Sequence, residues 1–208
     1  MRSPALIAVV SALVPAGFAY ATVTSVFYTV DQAAWTSYST NQGASISSET
    51  FSTVGNGYYS SGVSGIVGGI SWTATASGGI SALSGLVSAS TGTATLEFAV
   101  SPGVNGIAGN LFGRDSSWAA VPAIIMVTLS DSTTYIGYAN GPSDFIGFYS
   151  TGATISSLSV TVSSTGSGTA YATADNLYFA TVSTAPAPGA LALLGVAGLA
   201  SRRRRRGA

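Results

Sequence analysis

Ala94-Thr95-Leu96-Glu97-Phe98-Ala99-Val100 alternates apolar and polar side chains without a break. At a period of two, Leu96, Phe98 and Val100 share one face while Glu97 points away, the pattern of a half-buried strand. Similar short segments recur at residues 70–75 around Trp72, and at 124–129, 133–138, 145–149, 155–162 and 177–182. Ser130-Asp131-Ser132 lies between two of them, and short polar side chains of this kind stabilise a hairpin turn through local hydrogen bonds.

Many short antiparallel strands at this spacing predict an all-β domain. The expected fold is a two-sheet antiparallel β-sandwich of jelly-roll type, with an up-and-down barrel as the alternative. One short N-terminal helix is expected over residues 32–38, capped by Asp31 and turning Ala34, Trp35 and Tyr38 to one side. Residues 54–93, rich in glycine, give the loosest reading, and no internal repeat emerges.

Composition narrows the chemistry. The formal charge of zero hides a segregation: all seven acids lie between Asp31 and Asp175, whereas Arg114 is the only cation between Arg2 and Arg202. The central region is therefore acidic, which argues against nucleic acid as a partner, since that needs clustered Lys and Arg against phosphates. The chain has no Cys, His or Lys. Disulfides, His-based triads, thiol nucleophiles, lysine Schiff bases and His/Cys zinc sites are thereby excluded.

The two ends carry their own pattern. Residues 1–21 open with Met1-Arg2, continue through an apolar run and place Ala19 and Ala21 at the −3 and −1 positions of a cleavage site. That is the layout of a signal peptide. Residues 185–208 contain Pro186-Ala187-Pro188, an apolar stretch at 189–200 and the run Arg202, Arg203, Arg204, Arg205, Arg206. A hydrophobic C-terminal helix over that stretch would reach only about 18 Å, short of a hydrocarbon core of about 30 Å unless flanking residues and snorkelling arginines help. The arginines should stay cytoplasmic, leaving residues 22–184, the domain itself, on the far side of the membrane.

In this order, the proline-flanked tripeptide, short Leu/Ala/Gly helix and arginine cluster resemble the PEP-CTERM sorting domain. Ala187 stands where the family's name expects Glu, as in its Pro-Ala-Pro variants. The resemblance implies an exosortase-type processing enzyme as partner, transient anchoring in the inner membrane, and delivery to the cell surface or outside it in a bacterium making exopolysaccharide. The domain between the ends is also similar to β domains common in proteins with this tail, on the strength of the Asp31-capped helix, Gly113-Arg114-Asp115 as a central turn, the hairpin at 129–135 and Ala174-Asp175-Asn176-Leu177.

Carboxylates are the remaining candidates for chemistry. Two of Glu49, Glu97, Asp115, Asp131, Asp144 and Asp175 could serve a glycan-cleaving enzyme, although Asp131 and Asp144 also suit turns and Glu97 a solvent-facing strand position. Resemblance to jelly-roll carbohydrate-binding domains implies one structural calcium held by Glu49, Asp175 and Asn176, oxygen donors of the kind that ion takes. Tyr58, Tyr59, Trp118, Tyr138 and Tyr149 offer flat faces for a sugar, with Arg114 and Asp115 beside Trp118 as polar contacts. The same residues also suit plain strand packing and a loop-tip ion pair. The leading expectation is a non-enzymatic surface or matrix protein associated with exopolysaccharide, and the alternative is a calcium-stabilised carbohydrate-binding module.

Overall fold

The computed structural model describes residues 26–182. The signal-peptide and sorting-tail assignments, Ala19 and Ala21, Pro186 to Pro188, the apolar helix and Arg202 to Arg206, lie outside the described residues. Among those described, no helix is long and apolar enough to cross a membrane.

The chain forms β1 (Val26–Thr29), α1 (Gln32–Asn41), β2 (Ala44–Glu49), β3 (Gly57–Tyr59), β4 (Val63–Val67), β5 (Ile70–Ala76), β6 (Ile80–Leu83) and β7 (Leu86–Ala89). It continues with β8 (Leu96–Val100), β9 (Val104–Arg114), β10 (Ala120–Val121), β11 (Ala123–Leu129), β12 (Thr134–Ala139), β13 (Phe145–Ser150), β14 (Ser157–Ser164) and β15 (Tyr171–Val182).

Two antiparallel sheets result. The first runs β1-β13-β9-β15-β7-β6-β3, with β10 added on β9 and β2 on β15; the second runs β12-β11-β14-β8-β5-β4. From β7 onward the main strands cross between the layers, so that β7-β15-β9-β13 lie side by side in one sheet and β8-β14-β11-β12 in the other.

The alternation read in the sequence is what closes the sandwich. Leu96, Phe98 and Val100 are buried while Glu97 and Ala99 are exposed, and β5 and β11 alternate in the same way. Their inward side chains join Ile107, Leu111, Phe148 and Phe179 of the first sheet in one apolar core. Removing this apolar surface from water is the main force holding the layers together.

A second, smaller core lies on the outer face of the first sheet, where α1 packs. Asp31 caps the helix by accepting from the amides of Ala33 and Ala34. The helix runs three residues past its expected end, and its buried positions are Trp35 and Ser39, with Ala34 in solvent and Tyr38 half-buried. Trp35 is fully buried and donates its indole N–H to the Phe148 carbonyl at 2.9 Å. A Cβ on Gly147 would lie 2.5 Å from the Trp35 ring, so glycine there is what lets the indole sit flat against β13.

Two expectations need correction. The glycine-rich stretch at 54–93 is not loose: it holds β3 to β7. Gly68-Gly69 and Ser84-Gly85 have positive φ at both positions between paired strands, the geometry that joins a tight hairpin. Gly113 and Arg114 also belong to β9 rather than to a turn; the turn begins at Asp115.

Candidate functional site

Arg114 ends β9, and two aromatic rings lie against its guanidinium. Its central carbon lies 3.9 Å from the centre of the Trp118 ring and 4.5 Å from that of Tyr171. Nε donates to Ser88 Oγ at 2.8 Å and Nη1 to the Asp115 carbonyl at 2.7 Å. The residue is buried at 4% exposure, and burial lowers its pKa, opposed by Tyr171 and Asp115. Arginine suits such a place because its planar cation can stack on aromatic faces while its edge donates in fixed directions.

The turn that carries Trp118 is organised by Asp115. One carboxylate oxygen, Oδ1, accepts from the Ser117 amide, the Ser117 hydroxyl and the Ala119 amide at 2.7 to 3.0 Å. The Ser117 hydroxyl is the main reason this carboxyl sits below its usual range, ahead of the two amides and the Arg114 charge and against some desolvation. Trp118 takes φ +70°, which presents its ring to Arg114. Arg114 thus meets the backbone of Asp115, not its carboxylate, so the expected loop-tip ion pair is replaced by a stack and a carbonyl contact. Alongside lies an open groove of about 410 Å³ bounded by Asp115, Pro122, Ser164, Thr165 and Thr169.

The three residues implied as calcium ligands occupy neighbouring positions in the first sheet. Glu49 pairs with Leu177 at the end of β2. Asp175 and Asn176 form a β-bulge in β15, where the partner register jumps from Ala174 to Leu177 opposite β9. Asn176 donates to Asn110 Oδ1 at 3.3 Å, and burial raises the Asp175 pKa.

Glu49 already has two partners: Oε1 accepts the Phe51 amide at 2.7 Å and Oε2 the Trp72 indole N–H at 2.8 Å. Among the described residues, no group of three or more acidic side chains is gathered as metal ligands.

The remaining acids are dispersed. Glu97 is exposed on the second sheet, Asp131 closes the β11–β12 hairpin through the Thr133 amide and hydroxyl, and Asp144 holds the β12–β13 loop through the amides of Asn140 and Gly141. Among the tyrosines, Tyr149 is buried edge-on to Tyr38, whereas Tyr58 and Tyr138 stand in solvent at 62% and 72% exposure. Sequence reasoning placed Arg114 beside Trp118. It had no signal for Ser88 and Tyr171, which long-range strand pairing brings in.

No family model, curated protein or solved structure matches this chain.

Proposed function

We propose that this chain is a non-enzymatic protein of the bacterial cell surface or extracellular matrix, exported through its N-terminal signal, sorted by an exosortase-type enzyme at Pro186-Ala187-Pro188 and associated with exopolysaccharide. We also infer a jelly roll for the sandwich, a reading supported by the β7-β15-β9-β13 and β8-β14-β11-β12 orders.

The observation that carries the functional reading is the outer face of the second sheet. Thr75, Glu97, Ser159, Thr128 and Thr134 stand opposite one another on five adjacent strands. Ser71 and Thr73 extend the exposed hydroxyls along β5, and Ser163 along β14. Glu97 is the one charge among these residues, and no basic group accompanies it. On β11 and β12 the same face also exposes Ile124, Met126, Ile136 and Tyr138, so hydroxyls share it with apolar side chains. Such a face with little charge suits many weak hydrogen bonds and C–H contacts to a neutral polysaccharide rather than one deep catalytic pocket.

The second reading, a carbohydrate-binding module with one structural calcium, draws support from the bulge that sets Asp175 and Asn176 beside Asn110, next in register to Glu49. A glycan array separates the two. A matrix protein gives weak, broad binding; a module gives tight binding to one glycan that is lost in Trp118→Ala. Calcium that raises the melting temperature, reversed by chelator, supports the metal, and no shift at about 1 mM calcium removes it.

A further inference from the structure

β1 is the edge of the first sheet and β12 the edge of the second, so the sandwich is open on the side where these two strands face each other. The Tyr28 and Tyr135 rings meet there, with centres 5.9 Å apart and planes tilted by 51°. Beside them is a cleft of about 260 Å³ whose walls include Val30, Tyr135, Tyr138, Ser143, Asp144 and Phe145.

One aromatic wall of the cleft is set in advance. Tyr135 lies back along its own strand, its hydroxyl over Gly137, where an added Cβ would come within 2.1 Å of that oxygen. Tyr138, also in the cleft wall, is 72% exposed, and Tyr28, which meets Tyr135 beside the cleft, is 60% exposed. Asp144 Oδ2 is held by the Asn140 and Gly141 amides, which fixes the carboxylate and leaves Oδ1 without a hydrogen bond among the described residues. Ser143 adds an exposed hydroxyl.

Aromatic faces, a fixed carboxylate oxygen and hydroxyls around a small open space match the two sides of a sugar ring, its C–H face and its rim of hydroxyls. We propose that this cleft binds one neutral hexopyranose unit of a glycan. The volume falls just below the roughly 300–1,000 Å³ typical of drug-sized pockets, which suits a single ring and not a buried chain. No basic side chain lines the cleft, and Asp144 opposes an acidic sugar. A single carboxylate is too few for a bare divalent cation.

Tyr138 also stands in register with Ile124 and Ser163 on the outer face of the second sheet. A ring held in the cleft would therefore leave the rest of its chain to run across that face, past Ile124 toward Ser163 on β14. The proposal rests on the matrix reading only in making sugars the ligand class, and it fails separately from export, because its test is binding in vitro.

That test is saturation-transfer NMR on the full-length protein in a sugar-free detergent, with D-glucose, D-galactose, D-mannose and N-acetyl-D-glucosamine each at about 10 mM, a concentration that detects millimolar binding. At least one of the four should receive magnetisation on its ring C–H protons. Its affinity should fall at least about tenfold in Tyr138→Ala and in Tyr135→Ala, the two tyrosines of the cleft wall, the loss of about 1.4 kcal/mol, and stay unchanged in Tyr58→Ala, an exposed tyrosine on β3. D-glucuronic acid should bind more weakly than D-glucose. Transfer to none of the four sugars, or binding that survives both cleft variants, would overturn the proposal.

Discussion

The indole N–H of Trp72 in the second sheet donates to Glu49 Oε2 in the first at 2.8 Å, so a buried carboxylate ties the two layers together. The other oxygen takes the amide of Phe51, a residue held at φ +53° with its ring against Trp72 and Phe98. Glu49→Ala strands both donors in the interior and should cost about 2–5 kcal/mol in urea unfolding. Glu49→Gln, which keeps one acceptor, should cost less, about 1–2 kcal/mol. An alanine variant within about 0.5 kcal/mol of wild type would remove this tie from the account.

Arg114→Lys tests the guanidinium stack. Lysine keeps the charge but, lacking a planar fork, cannot reach Ser88 and the Asp115 carbonyl together while stacking on the Trp118 and Tyr171 rings. The loss should be about 1–3 kcal/mol, with a change in Trp118 fluorescence. Because the group is buried, the effect should persist at high salt.

Two acids should respond to pH in opposite directions. Burial raises the Asp175 pKa, so its favourable contribution is complete below the ordinary Asp range and is lost as pH rises through the raised value. Asp175→Asn should therefore raise the melting temperature at pH 7, by about 1–3 °C, and lose that advantage in acid. Asp115 is held below its usual range by the Ser117 hydroxyl and the turn amides, so its contribution is present above the ordinary value and lost as pH falls through the lowered one. Asp115→Ala should lower the melting temperature at pH 7 and converge with wild type in acid.

Gly147→Ala would press a methyl group into the Trp35 ring and should cost about 1–3 kcal/mol. Trp35→Ala alone should cost about 3–5 kcal/mol. In the Trp35→Ala background the glycine substitution should become cheaper, giving a coupling of about 0.5–3 kcal/mol in a double-mutant cycle.

What could be read in the sequence follows from which faces are wet. β5, β8 and β11 alternate because one face meets solvent, so their period of two is explicit. β9 is buried along almost its whole length, its Ala108 under Trp35 and its Leu111 in the main core, and a strand covered on both faces has no alternation to display. The glycines at 68, 69 and 85 mark tight hairpins, yet without the flanking strands they read as a loose segment. At the candidate sites, Arg114 and Trp118 are four residues apart and were visible, whereas Glu49 meets Trp72 only because two sheets stack. Tyr28 and Tyr135 likewise meet only because β1 and β12 are facing edges.

The proposed export and sorting are tested by mass spectrometry of the protein in the cytosolic, membrane, surface and medium fractions of the organism that makes it. If the chain is exported and sorted as proposed, the surface and medium should hold a mature form that begins at Thr22 and lacks Arg202, Arg203, Arg204, Arg205 and Arg206. A full-length chain accumulating in the cytosol, with residues 1–21 still attached, would contradict it.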